Sequence, residues 1–447
     1  MNNNFPKILI FGQSFNKNTG GGITLSNLFK GWPIDKIAVA NTGHGMFAVD
    51  YSICNTYYVL GKHEHKWVFP FNIMQRQFES GVSSTAVTVS ANSFSQNIDG
   101  TKEEKKYRKL FVEKIFYPAL SYCGIMPKVS KIILSKPFKE WVKKYEPDII
   151  YVQVSNLASI NFVLALKQYL QKPVILHMMD DWPSIIGGNG PLKKYWNDKI
   201  DIALRQLMKQ SSLLMSISDA MTEEYQHRYG LNFLSFHNPI NIEDWLPYSK
   251  NCWKVNSTFK ILYTGRIGTA NTESIKTIAK AVAHLADKGL NISLDIYSPN
   301  IHSDQANTLK FLKGVTLKNI VPHSLIPSLL PSYDLLVLPL DFDHNSVRFA
   351  RLSMPTKASE FMISGTPILV YAHIETALAK YADKEKWAYL VSEANESLII
   401  NSIKKIYSSA SLRQEFGQKA KMLALKNEDA DLIRRKFREA IYSVKNY

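Results

Sequence analysis

Residues Ser353 to Ala372 read SMPTKASEFMISGTPILVYA, a stretch that carries its own start signal, stop signal and faces. Pro355 suits a first helical turn, where its missing N–H costs nothing, and Gly365, Thr366 and Pro367 form a stop. The spacing predicts a helix feeding a short buried strand over Ile368 to Tyr371. Ala358, Phe361 and Met362 fall at i, i+3 and i+4, the stripe that docks on a core. Lys357, Glu360 and Ser364 then share another face. A helix N-terminus offers unpaired N–H groups and partial positive charge, which Thr356 and Lys357 supplement as an anchor for phosphate. Glu360, one turn deeper, is placed to accept hydrogen bonds from a ribose diol. An ordinary capped surface helix, with a Lys357–Glu360 pair worth about 0.2–0.5 kcal/mol, accounts for the same residues.

Working outward, apolar runs alternate with helical patterns along most of the chain. Lys7 to Gly12 reads as a buried strand, followed by a loop ending in Gly20, Gly21 and Gly22 and then a helix. Three glycines before a helix let backbone approach a ligand, although the spacing is neither the dinucleotide fingerprint nor the Walker pattern. The turn Glu146–Pro147–Asp148, a helix over Asn156 to Leu170 and a strand over Pro173 to His177 continue the alternation, the mark of a parallel α/β architecture. Ligands of such sheets gather beyond the carboxyl ends of strands, which makes His177, Asp180 and Asp181 site candidates. Ser218 and Asp219 are helix-cap candidates. A second α/β unit begins at Phe259, where FKILYTGRIG runs a strand into Gly265 and Arg266. A guanidinium there suits bidentate contact with phosphate oxygens. Asp341 and Asp343 form an Asp-x-Asp, but two carboxylates are too few to specify a metal site. Asp431 to Val444 closes the chain as an amphipathic helix.

Composition bounds the reading. At 447 residues, 45% hydrophobic and 21% charged, the chain is long enough for two domains with separate cores, and global disorder is excluded. A net charge of +16 implies an anionic partner. Cys54, Cys123 and Cys252 frame neither disulfides nor a metal site and fit a reducing compartment. The N-terminus lacks the zones of a signal peptide, and no apolar run approaches the roughly 18 residues of a spanning helix. Between Lys102 and Lys144, twelve Lys or Arg stand against four Glu, with Tyr107, Leu110, Phe111, Ile115 and Pro118 at nearly helical spacing. This basic amphipathic stretch suits either an anionic leaflet or a packed helix with a solvated back.

The segment PTKASEFMISGTPILVY resembles the nucleotide-binding signature of the family 4 retaining glycosyltransferases, and the similarity runs nearly end to end. The resemblance implies the α/β GT-B fold, two facing Rossmann-like domains. Residues 1–250 would form the acceptor-side domain, 251–428 the nucleotide-sugar-binding domain, and 429–447 a helix returning to the first. The resemblance further implies that Glu360 contacts the ribose, that Thr356, Lys357, Gly265 and Arg266 sit by the diphosphate, and that Gly21 and Gly22 face donor phosphate and acceptor. Asp180 and His177 would orient the sugar or the acceptor hydroxyl.

Three departures stand out. Asp180, Trp182 and Pro183 match the family, but Met179 stands where a histidine is expected. His177, two residues earlier, either substitutes for it or is a buried strand histidine bonded to a backbone carbonyl. Leu352 replaces a second glutamate, and Thr269, Ala270 and Asn271 occupy the place of a lysine, which leaves more of that charge to Lys357.

The activity so implied is transfer of a sugar from a nucleotide-sugar donor to a saccharide or lipid-linked saccharide acceptor, with retention of anomeric configuration. No metal or cofactor enters, the location is cytoplasmic with peripheral contact to anionic membrane, and nucleic acid is not a partner. Alternatives are an epimerase or phosphorylase on the same fold, or an inactive basic membrane-binding relative.

Overall fold

Short runs of branched and aromatic apolar residues, each bounded by turn formers, become the strands of two parallel sheets. The computed structural model describes residues 5–17, 19–46, 49–69, 71–75, 77–83, 129–185, 191–268 and 270–445. Of the basic amphipathic stretch, residues 102–128 therefore lie outside the described residues. Within the remainder, Lys136–Tyr145 is a helix that buries Phe138 and Val142.

The chain divides into two compact units, Met1–Phe236 with Lys436–Tyr447, and His237–Arg435. In the first, the described strands are β1 (Ile8–Phe11), β2 (Ile37–Thr42), β3 (Tyr57–Leu60), β4 (His65–Trp67), β5 (Gly81–Ser83), β6 (Ser130–Ile132), β7 (Ile149–Val152), β8 (Val174–Met178), β9 (Leu213–Ser216) and β10 (Leu234–Ser235). Eight form one sheet in the order β10-β9-β8-β7-β1-β2-β3-β5, parallel except where β5 pairs with β3. Growth outward from β1 reverses direction between β2 and β7, so β1 and β7 flank the switch point of this sheet. Phe437, from the final helix Ala430–Lys445, closes its core against Phe29, Tyr151 and Phe236.

The second unit holds β11 (Phe259–Thr264), β12 (Ile292–Tyr297), β13 (Val315–Lys318), β14 (Leu335–Pro339), β15 (Ile368–Tyr371) and β16 (Tyr389–Val391). Their order is β13-β12-β11-β14-β15-β16, parallel throughout. Here the reversal falls between β11 and β14. The helix Lys357–Ile363 buries Ala358, Phe361 and Met362 against this sheet, as its spacing predicts. Ser364 departs from the expected polar face: it is fully buried, with its hydroxyl donating to the Phe361 carbonyl.

Two further expectations are corrected. The boundary at residue 250 lies too late, because Ile240 pairs with the backbone around Asp429 and Trp245 packs in the core of the second unit. Lys250 donates to the carbonyls of Pro331 and Tyr333, and Trp253 to that of Gly365, so the chain on both sides of residue 250 belongs to the second unit. Gly20, Gly21 and Gly22 do not end a loop; they form the first turn of the helix Gly20–Phe29, capped by Thr19. A Cβ at Gly22 would overlap the side chain of Asn16, which supplies an internal reason for glycine.

Candidate functional site

At the switch point of the second sheet, β11 ends in Thr264 and the chain turns at Gly265 with φ of +138°, a conformation that only glycine adopts without strain. The space that a Cβ would fill is occupied by the Lys357 ammonium, 2.5 Å from that position. Lys357 Nζ donates to the Thr264 carbonyl at 2.7 Å and lies 4.6 Å from the centre of the Tyr263 ring. Ring and carbonyl compensate part of its lost hydration. Burial, opposed by the charge of Glu360, still lowers its pKa to about 8.

The turn that follows is braced on every side. Asn271 accepts from Gly268 N–H and donates to the Arg266 carbonyl and the Tyr263 hydroxyl. Asn300 exchanges hydrogen bonds with both backbone groups of Ile267. Ala270 is held at φ +67°, strained for a residue with a side chain, and its carbonyl accepts from Asp341 N–H. Arg266 is thereby presented on a fixed backbone. Its side chain is exposed and makes no hydrogen bond or ion pair among the described residues.

One turn into the helix, the mostly buried Glu360 carboxylate meets His323 Nε2 at 3.0 Å. Thr356 is half-buried with helical dihedrals, and its carbonyl lies 3.5 Å from Asn238 Nδ2. The structure thus brings Gly265, Lys357 and Glu360 together beside Arg266. Tyr263, Asn271 and His323 complete the cluster, and nothing in their local spacing marks them.

Asp341 and Asp343 do not converge. Asp341 Oδ1 accepts from Ser274 N–H in the first turn of the helix Thr272–Asp287. Asp343 caps the helix His344–Ala350 through Asn345 and Ser346 N–H. Among the described residues, no group of three metal-ligating side chains occurs.

In the first unit, the strand ends split the candidates by environment. His177 is enclosed in the sheet core, where its Nδ1 bonds the Tyr151 hydroxyl and burial pushes its pKa down to about 4. It is a neutral core histidine, and the expected orienting role is corrected because its ring is buried in the sheet and not presented at the surface. Beside the Tyr151 hydroxyl, backbone hydrogen bonds at Ser216 and Phe236 oppose part of that shift, as the reading of a buried strand histidine expects. Asp181 is equally buried, held by Arg228 at 2.8 Å, the Tyr225 hydroxyl at 2.9 Å and Ser184 at 2.6 Å. Asp180 alone of the three is exposed. Gly21 and Gly22 lie near the end of β1, where a Cβ on Gly21 would meet the side chains of Gln13 and Gln153.

The Gly265–Lys357 packing makes a direct test. Gly265→Ala is expected to displace the ammonium and strain the turn, costing about 1–3 kcal/mol of stability in chemical denaturation. A stability within about 0.5 kcal/mol of wild type would mean that the turn tolerates a side chain.

Two parallel α/β units, each with a switch point and the second with a basic cluster at it, define the GT-B fold class. Solved structures of that class match the chain over nearly its whole length. A sucrose-phosphate synthase from Thermosynechococcus elongatus is 12% identical with a TM-score of 0.61, covering 98% of each chain. HepE from Anabaena, in complex with UDP and glucose, is 13% identical with a TM-score of 0.60, covering 98% of this chain and 100% of its own. A trehalose-6-phosphate structure from E. coli bound with UDP-2-fluoro glucose is 11% identical with a TM-score of 0.58, covering 98% and 99%. No protein-family model matches the sequence, and no curated protein matches it. At these identities the likeness establishes the fold.

Proposed function

We propose that this protein is a retaining glycosyltransferase that binds a nucleotide-sugar donor on its second unit. The observation that carries the reading is the Lys357 ammonium seated on Gly265 with Glu360 beside it, at the switch point between β11 and β14 where the same turn also carries Arg266. Departure of the sugar leaves negative charge on the diphosphate. The Lys357 ammonium, already held at the turn, stabilises that charge without reorganising, and Arg266 brings a second cation from its braced backbone. Glu360 accepts from the ribose hydroxyls, with His323 withdrawing from it or sharing it. The UDP and UDP-sugar complexes of the structurally similar HepE and E. coli proteins support this choice of ligand.

Asp180 is the proposed acceptor-side group of the first unit. The acceptor is a saccharide, and the excess of positive charge favours one linked to an anionic lipid at a membrane surface. No helix among the described residues is long and apolar enough to cross a membrane. Leaving-group stabilisation is assigned to Arg266 and Lys357, because Asp341 and Asp343 are engaged as helix caps.

Release of free sugar from a panel of nucleotide-sugars, with and without EDTA, tests the reading. One or more donors should be hydrolysed, and chelation should leave the rate within about twofold. Loss of all hydrolysis in EDTA, restored by magnesium or manganese, would return the charge stabilisation to a metal. No hydrolysis and no nucleotide binding would dismiss the transferase.

A further inference from the structure

The second unit contains a cavity of about 230 Å³ that reaches Lys357. Drug-sized ligands occupy pockets of about 300 Å³ or more, so this one has room for a single ring. Leu338 and Leu340 at the end of β14, Phe349, Met354 and Leu378 supply most of its wall. Among the described residues its polar side-chain lining is limited to Asn271, Ser353 and Lys357, and none of those residues is a carboxylate. Both ends of the Asn271 amide already bond the turn after β11, and Lys357 Nζ bonds the Thr264 carbonyl. A sugar entering here with hydroxyls on every carbon would leave several of them buried without partners, which an apolar wall penalises. A methyl group would instead gain contact with leucine, phenylalanine and methionine side chains.

We propose that this cavity receives the glycosyl residue of the donor and selects a sugar that presents a methyl group, as a 6-deoxyhexose or an N-acetylated hexosamine does. The inference rests on the nucleotide-sugar reading above. Lys357 joins the two sites: its ammonium stands at the turn assigned to the diphosphate, and its side chain forms part of the cavity wall. A sugar attached to the second phosphate therefore has this wall within reach.

The test uses the full chain in calorimetric titrations. UDP, GDP and dTDP are titrated first. For each nucleotide that binds, its glucosyl donor is compared with the 6-deoxyglucosyl and N-acetylglucosaminyl counterparts. One of the methyl-bearing donors should bind roughly 10-fold more tightly than the glucosyl donor, the discrimination that a hydrophobic pocket gives for one small group. Which of the two prevails identifies the source of the methyl. A glucosyl donor that binds as tightly as both, or more tightly, overturns the proposal while leaving the nucleotide site standing. If none of the three nucleotides binds, the nucleotide-sugar reading falls and this one with it. Met354→Gln keeps the side-chain length and adds an amide to the wall. It should narrow the preference by roughly fivefold, judged against nucleotide binding by the same variant. An unchanged preference would remove the cavity from sugar recognition.

Discussion

Lys357→Ala is expected to weaken binding of a nucleoside diphosphate by about 1.5–3 kcal/mol, roughly 10- to 150-fold, measured by isothermal titration. The variant removes a charge-assisted contact whose geometry the Thr264 carbonyl and the Tyr263 ring hold in place. Its pH dependence separates this from a general loss of positive charge. With a pKa near 8, the ammonium is protonated at pH 7 and loses its proton as pH rises. Affinity of the wild type should then fall by about tenfold per unit above pH 8, and the Lys357→Ala variant should lack this limb. The stability linkage has the opposite direction. The folded-state pKa lies below the value of 10.5 for the unfolded chain, so the unfolded state holds the proton more tightly between pH 8 and 10.5. The cost of burying Lys357 therefore shrinks as pH rises through that window. Affinity that does not change with pH, together with a variant that binds like wild type, would move the diphosphate away from Lys357.

Asp181→Ala should destabilise the protein by about 3 kcal/mol, read from urea unfolding, whereas Asp180→Ala should change stability by less than about 0.5 kcal/mol. Asp181 is buried and serves Arg228, Tyr225 and Ser184 at once. Its removal leaves a guanidinium and a phenol without their acceptor. Glu224, 2.8 Å from Arg228, retains part of the pairing, which keeps the loss at the lower end for a buried ion pair. Equal effects at positions 180 and 181 would contradict the division between a structural and an exposed carboxylate. Nucleotide affinity should be unchanged by Asp181→Ala, because the proposed donor site belongs wholly to the other unit.

Much of the fold was legible because burial along one element leaves a period in the sequence. The stripe of Ala358, Phe361 and Met362 is a core face, and β1, β8, β11 and β15 occupy the runs that read as strands. Ser218 caps its helix as its residue type suggests, accepting from Met221 N–H. Arg266 and Gly265 were also accessible, since a strand running into Gly-Arg places both at a carboxyl end. The glycines at 20–22 misled for a local reason. Three glycines read as loop, yet the Thr19 cap and the contact of Gly22 with Asn16 let the helix start among them.

The alternation of elements, the parallel α/β class and the polar residues at strand ends can be read from the chain, because each depends on neighbours a few positions apart. The tertiary structure alone decided which of those residues share an environment. Lys357 reaches Thr264 across the switch between β11 and β14, and the absent side chain of Gly265 leaves room for its ammonium. His323 meets Glu360, and Asp181 meets Arg228, by the same route of sheet order and helix packing. His177, Asp180 and Asp181 lie within five residues, yet the end of β8 puts the first inside the sheet, the second in water and the third under a helix. A local pattern records which residues are apolar. The solvation of a charge depends on what the rest of the chain packs over it, and that is written only in three dimensions.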